Sequence, residues 1–404
     1  MRNLLSVADA LQRVLEHAAP LPTEKVPLSE AAGLVLVAPL KAVRTQPPAD
    51  VSAMDGYAVR AADVANAPVR LKVIGEVAAG RPFGQALGAG EAARIFTGGV
   101  VLQGADAIVI QEQTKRDGVY VEVEKGSPKG RHIRVQGLDF RAGDEMLAAG
   151  HRLTARDLAL AAGMNHPLVP VHRRPKVVLF ATGDELVPAG AEPAPGQIVS
   201  SNNYAIGALA RAEGATVEDF GIVGDRLDDT IAAVQRARES GADILVTSGG
   251  ASVGDYDLVH KALASEGLAL SFWKVAMRPG RPMLHGRLGQ MHVLGLPGNP
   301  VSAYVCSLLF LVPLIRQLCG QTEVAPASEI AILGRDLPEN DERADYLRAR
   351  LCVGAGGVPI ATPAPVQDSS MLTPLAGADC LLIRAPHAPA AAAGSCCNVL
   401  RLPL

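Results

Sequence analysis

Apolar positions recur with two different periods along the chain, and the changes between them divide it. Val7, Leu11, Val14 and Leu15 fall on one face at helical spacing behind Ser6, a residue type suited to cap a helix start. From residue 44 to 140 the pattern becomes short strands broken by glycine. Leu71, Val73 and Val77 alternate loosely, residues 107–111 read as a buried strand, and Val119, Val121 and Val123 alternate after an Asp117-Gly118 turn. A second helix is predicted over 154–162, opened by Thr154 and Asp157 in a capping-box arrangement and stopped by Gly163. The helical pieces flanking the β-rich insert (44–140) are expected to pack together as one discontinuous helical unit, 1–43 with 141–172.

A linker, His172-Arg-Arg-Pro175, precedes a different texture. Strands are predicted at 177–181, 217–223, 243–247 and 291–296, and helices at 203–213, 229–240, 257–266 and 302–318, with Gly214 and Gly241 as stops. Strict alternation with strands apolar on both faces predicts a parallel α/β sandwich over 173–325. Beyond a second linker at 321–328, Leu347, Ala349, Leu351 and Val353 alternate with Arg348 and Arg350, and 380–383 and 397–402 also read as strands. Residues 326–404 are therefore expected to form a small β domain, with a low-complexity loop at 386–394.

Composition narrows the function classes. A chain of 404 residues, 49% hydrophobic and 20% charged, reads as a folded globular protein of about two to four domains. A net charge of −3 and an aromatic content of 3% argue against a nucleic-acid partner or an anionic membrane surface. The first residues lack the layout of a signal peptide, and the most apolar stretch, 303–315, is too short to span a bilayer and contains Pro313. Six cysteines without CxxC spacing fit a reduced cytoplasm, and the adjacent Cys396 and Cys397 would point to opposite faces of a strand.

In a parallel α/β domain, ligands bind outside the carboxyl ends of the strands. Three of these strands end in loops rich in glycine and hydroxyls: Thr182-Gly183-Asp184-Glu185, Ser248-Gly249-Gly250-Ala-Ser252-Val-Gly254-Asp255, and Pro297-Gly298-Asn299-Pro300-Val-Ser302. Such loops bring backbone N–H groups and hydroxyls to an anion, so three at one sheet edge point to a phosphate-bearing ligand. Asp184, Glu185, Asp225, Asp255 and Asp257 share that edge, and acids beside a phosphate need a hard cation between them, for which Mg²⁺ is suited. Taken singly, each acid reads more readily as a helix cap, as at Asp184 and Asp257, or a solvated side chain, as at Asp225. Lys274, Arg278 and Arg281 place three cations in one short span, able to hold an oxyanion or merely to line a basic strand edge.

Other catalytic patterns fail. Ser252 in Gly250-Ala-Ser252-Val-Gly254 has the spacing of a hydrolase nucleophile elbow, but the predicted strand stops near Thr247, and His285, His292 and His387 sit in no loop suited to a general base. P-loop, HExxH and dinucleotide-binding patterns are missing. The insert holds three irregular segments dense in small residues: 47–58 with Asp55, Arg94-Ile-Phe-Thr97-Gly-Gly99, and Arg134-Val-Gln-Gly-Leu138-Asp139. By composition alone these are also ordinary β-turns.

Ser52-Ala-Met-Asp-Gly-Tyr-Ala58, Arg94-Ile-Phe-Thr-Gly98, Thr182-Gly-Asp-Glu-Leu186, Ser248-Gly-Gly-Ala-Ser-Val-Gly254, Lys274-Val-Ala-Met-Arg-Pro-Gly280 and Gly295-Leu-Pro-Gly-Asn-Pro-Val-Ser302 together resemble the MoeA family of molybdopterin molybdenumtransferases, related to the C-terminal part of gephyrin. The resemblance runs nearly the whole chain in the same order. It implies a helical domain, a β insert, an α/β domain of molybdopterin-binding type and a C-terminal β-barrel. It also implies a cytoplasmic homodimer whose cleft joins one subunit's α/β domain to the other's insert. The implied reaction takes adenylylated molybdopterin and molybdate, inserts molybdenum and releases AMP with Mg²⁺ assisting; the molybdopterin adenylyltransferase is the implied protein partner.

Motif by motif, the resemblance assigns Asp55, Thr97, Arg134 and Asp139 to the insert's side of the cleft, with Leu138 standing where Glu is usual. Glu185, Asp225 and Asp257 are the acids of the α/β side and the candidate Mg²⁺ ligands, and Lys274 and Arg278 its cations, Arg278 replacing a Lys found in some relatives. Thr182, Gly183, Asp184, Ser248, Gly249, Gly250, Ser252, Gly254, Pro297, Gly298, Asn299, Pro300 and Ser302 shape the substrate loops, joined by Ser369 from the tail. The α/β domain alone also resembles molybdopterin adenylyltransferase and CinA-type nucleotide hydrolases, and a gephyrin-like scaffold is the non-enzymatic alternative.

Overall fold

The computed structural model describes residues 4–249 and 258–403. Strands Thr216–Val223, Lys176–Thr182, Ile244–Ser248 and Met291–Leu296 lie side by side in that order and run parallel. Successive residues serve two cores: Val177, Leu179, Ile244, Val246 and Leu294 on one face, Val178, Phe180, Leu245 and Val293 on the other. That double burial is why these strands are apolar without interruption.

The sheet is not purely parallel, as the alternation predicted. Ala269–Trp273 and Leu284–Leu288 extend it antiparallel beyond Met291–Leu296. His285 and Gly286 break the apolar run that would have marked the second of these strands. The helical stretch 300–318 contains a π-type turn at Ser307–Leu311 just ahead of Pro313, which absorbs the amide that proline cannot supply. It is long and apolar enough to cross a membrane, yet most of it is buried in the core.

The N-terminal helix, Val7–Leu15, is capped by Ser6, whose hydroxyl accepts from the Asp9 amide at 3.1 Å. Its buried Ala10 and Val14 join the α/β core, so it does not pair with the second helix as expected. Segments before and after the insert still share a core of Leu34, Leu36, Leu147, Leu153 and Met164, held largely by strands: Thr23–Pro27 pairs with Leu168–His172, and Leu40–Lys41 with Glu145–Leu147. Helix Ala155–Gly163 opens with the Thr154/Asp157 capping box, but Gly163 lies inside it and Asn165, at φ 76°, turns the chain away. Glu213, nearly buried, accepts two hydrogen bonds from Arg316 and lies 3.5 Å from Arg152, tying this unit to the α/β body.

The insert is a six-stranded sheet whose Thr114–Asp117/Tyr120–Val123 hairpin turns at Gly118, φ 58°. Five C-terminal strands close a barrel, because Ala344–Val353 pairs with both Pro359–Pro363 and Cys380–Arg384. Along Ala344–Val353 the expected faces are not kept: Arg348 is 1% exposed and Val353 83% exposed. All six cysteines are unpaired.

His285 and His292 are buried on adjacent strands with their rings 5.8 Å apart. Three of their four ring nitrogens lack a partner among the described residues. Burial pushes their pKa values down to about 3 and about 4, with the Arg287 charge adding to the effect. Both rings are neutral in the folded chain, whereas an unfolded histidine protonates near pH 6.5, so stability is lost as pH falls below that value. Between pH 7 and pH 5 each histidine should cost about 2 kcal/mol. Thermal unfolding at the two pH values checks this: a His285→Leu/His292→Leu double variant should lose less stability than wild type, and equal losses would refute it.

Candidate functional site

Thr182, Ser248 and Leu296 end three adjacent parallel strands, and the loops that leave them open into a cavity of about 1000 Å³. The chain reverses its strand order there, between Lys176–Thr182 and Ile244–Ser248, which leaves a crevice at the sheet edge. Thr182, Gly183, Glu185, Asp225, Ser248, Gly249, Pro297, Gly298, Asn299, Pro300 and Ser302 all line it. Gly250, Ser252, Gly254 and Asp257 lie outside the described residues, as does the rest of the segment 250–257.

The loops meet closely. Gly249 has φ 92°, and a Cβ there would stand 2.5 Å from the Thr182 carbonyl oxygen. Asn202, opening helix Asn202–Ala212, donates from Nδ2 to Ser248 Oγ and to the Gly298 carbonyl, each at 2.7 Å. One side chain thus ties two of the three loops together. Sequence reasoning missed it, since an Asn at a helix start reads as a cap.

Two acids, Glu185 and Asp225, stand on one wall, and Asp184 packs against Asp225 without lining the cavity. The Asp184 amide donates to Asp225 Oδ2 at 3.2 Å, and the Asp225 amide to Asp184 Oδ1 at 3.3 Å, with Glu185 beside them. Burial, then the negative charges of Asp184 and Glu185, push the Asp225 carboxyl up from its ordinary value, against the hydrogen bond from the Asp184 amide. Mg²⁺ binds through one or two carboxylates plus water and phosphate oxygens, and Glu185 with Asp225 fits that donor set. Among the described residues no group of three or more His, Cys, Asp or Glu could hold a metal by itself.

The opposite wall comes from the barrel: Arg343, Gln367, Asp368, Ser369 and Ser370. Ser369 accepts from Asn299 Nδ2 at 2.7 Å, and its carbonyl accepts from the Val301 amide. Arg348 shapes this loop from beneath, donating to Gln367 Oε1 and to the Met371 and Val366 carbonyls. Its position in an alternating strand pattern gave no hint of burial.

The cations divide. Arg278 lines the cavity but is committed to Asp345 through two hydrogen bonds of 2.8 and 2.6 Å, and lies 3.3 Å from Asp341. Asp341 also accepts from Arg343, and that hydrogen bond leads in holding its carboxyl down at about 2. Arg281 lines the cavity without an ion pair among the described residues, while Lys274, held at φ 98°, is not among the lining residues.

Asp55, Thr97 and Arg134 come together elsewhere, in the insert. Ser52 exchanges backbone hydrogen bonds with Gly98 and Gly99, and strand Val51–Ser52 pairs with Ile133–Arg134. Gly56 is forced, since a Cβ there would run into the Val109 carbonyl of the next strand. Asp55 Oδ1 accepts from the Thr97 amide and hydroxyl, both at 2.8 Å, and these bonds lower its pKa. Arg134, Asp139 and Leu138 are exposed. None of the insert residues lines the α/β cavity.

A family model described as the MoeA N-terminal region (domain I and II) matches residues 5–164, one described as a probable molybdopterin binding domain matches 178–317, and one described as the MoeA C-terminal region (domain IV) matches 331–402. A Bacillus subtilis protein named molybdopterin molybdenumtransferase is 35% identical over 95% of this chain and 90% of its own length. The Haemophilus influenzae protein of that name is 34% identical over 94% of each chain. The solved structure of a molybdopterin biosynthesis MoeA protein from Pyrococcus horikoshii superposes with a TM-score of 0.82 at 27% identity, covering 99% of this chain and all of that one.

Proposed function

Because this chain belongs to the MoeA family, and is a molybdopterin molybdenumtransferase of molybdenum cofactor biosynthesis, we propose that it takes adenylylated molybdopterin, inserts molybdenum from molybdate into the pterin dithiolene, and releases AMP. One observation carries this reading: three glycine- and hydroxyl-bearing strand ends face, across one cavity, a barrel wall that supplies Arg343 and Ser369. Backbone amides and hydroxyls of Thr182, Ser248 and Ser302 are suited to phosphate oxygens. Arg281, without an ion pair among the described residues, and Arg343, only partly neutralised by Asp341, are suited to hold a molybdate dianion. Glu185 and Asp225 would hold Mg²⁺, which when bound offsets the charge of the adenylate phosphates.

Arg278 takes a different part from the one its position implied. Doubly bonded to Asp345, it is better suited to fix the barrel against the α/β domain than to bind an oxyanion. We also infer a homodimer in which Asp55 and Thr97 of one copy complete the cavity of the other, since no insert residue lines the cavity of its own chain.

The purified protein, supplied with adenylylated molybdopterin and Mg²⁺, should release AMP only when molybdate is added. AMP release without molybdate would identify a hydrolase. Pyrophosphate formation from ATP and unmodified molybdopterin would identify an adenylyltransferase.

A further inference from the structure

A second, smaller cavity of about 400 Å³ opens in the barrel wall beside the first. Arg278 and Gln367 line both, so the two adjoin. Arg278, Arg335 and Arg384 face the smaller one against Glu339 and Asp345. Asp345 is already engaged by Arg278 through both carboxylate oxygens. What remains is two guanidinium groups against one exposed carboxylate.

The two arginines are not equally satisfied. Arg384 Nη2 donates to the Pro338 and Ala388 carbonyls at 2.9 and 3.3 Å and to the Pro389 carbonyl. Arg335 has one long contact, Nη2 to the Ala364 carbonyl at 3.4 Å. Its Nε is shut off from solvent and has no acceptor among the described residues. Carbonyls satisfy hydrogen-bonding geometry but leave the net positive charge in place.

We propose that this cavity is a subsite for a small tetrahedral oxyanion, held by the Arg335 and Arg384 guanidinium groups. A dianion with several acceptor atoms answers the surplus charge, and the forked terminal guanidinium donors, of which Arg335 commits only one and at long range, match such oxygens. At less than half the volume of the main cavity, the space suits a compact anion rather than a pterin nucleotide. Glu339 on the same wall weakens the grip, which favours release. Staging molybdate here before it passes Arg278 into the main cavity is the role the position supports, and that role rests on the function proposed above.

Crystals of the wild-type protein soaked in sodium molybdate should show anomalous scattering from molybdenum within hydrogen-bonding reach of Arg335. Arg335→Gln should remove that peak and raise KM for molybdate about tenfold, as loss of one charge-assisted contact does. Its kcat should stay within about twofold, and Arg335→Lys should restore part of the affinity. Molybdenum in the main cavity alone, or an unchanged KM in Arg335→Gln, overturns the subsite and leaves the proposed function intact. Molybdenum in neither cavity, with AMP release independent of molybdate, overturns both. A parallel soak in inorganic phosphate separates the sources: phosphate in place of molybdate keeps the oxyanion site and removes its staging role.

Discussion

Asp55→Asn and Glu185→Gln are each expected to reduce molybdenum insertion about a hundredfold or more while leaving fold and dimer intact, the scale on which losing a charge that faces reacting groups is felt. The amide replacements change charge with little change of volume. Asp55 keeps its hydrogen-bond partner in Thr97, and Glu185 is exposed in the cavity, so neither change disturbs a core. The informative species is the mixed dimer. If Asp55 of one chain serves the cavity of the other, a dimer of one Asp55→Asn and one Glu185→Gln chain contains one site with both lesions and one with neither. Two-fold symmetry then predicts recovery of about half the wild-type rate. Were each site built from a single chain, every site in the mixture would retain one lesion and nothing would recover. Mixed dimers isolated through two different tags, assayed for AMP release, decide it.

Gly249→Ala should be a strongly damaging single-atom-scale change in the α/β domain. Its φ of 92° disfavours any side chain, and its added Cβ would meet the Thr182 carbonyl at 2.5 Å, pushing the Ser248 loop, which Asn202 ties to the Gly298 loop, away from the Thr182 loop. Two penalties combine, backbone strain and a steric clash with rigid main chain, for about 3 kcal/mol or more of destabilisation. Activity should fall by about a hundredfold, because small displacements of positioning groups are amplified in the transition state. Gly190 is the control: its φ is 95°, but nothing lies within 4 Å of the added Cβ. Gly190→Ala should cost about 1 kcal/mol from backbone strain alone and spare activity. Thermal unfolding and AMP release measured on both variants test the pair; equal effects would mean that the close approach at Gly249 is unimportant.

The α/β sheet was legible in the sequence because burial on two faces leaves no freedom: each of Val177, Val178, Leu179 and Phe180 must be apolar, whichever side it faces. Capping was legible too, at Ser6 and at Thr154 with Asp157, since those contacts are local. So was the membership of three strand-end loops in one cavity, because parallel strands joined by helices deliver their carboxyl ends to the same edge. The antiparallel strands at that sheet's far edge were not, nor was the seat of the N-terminal helix, whose amphipathic face fits any apolar surface and chose the α/β core. Residue type placed Arg278 with the oxyanion cations, and only the fold brought Asp345 against it, from a strand 67 residues away. In the same way Arg348 reads as an outward strand residue, yet it is buried to satisfy the carbonyls of a loop that the barrel presents to the cavity. The sequence by itself determined the buried parallel strands, the capped helices and the loops that carry donors, because those follow from local sterics and burial. Which charge faces a ligand and which is already spent on another charge was decided by tertiary structure, since a charge is neutralised by whatever lies a few ångströms away in space, at any distance along the chain.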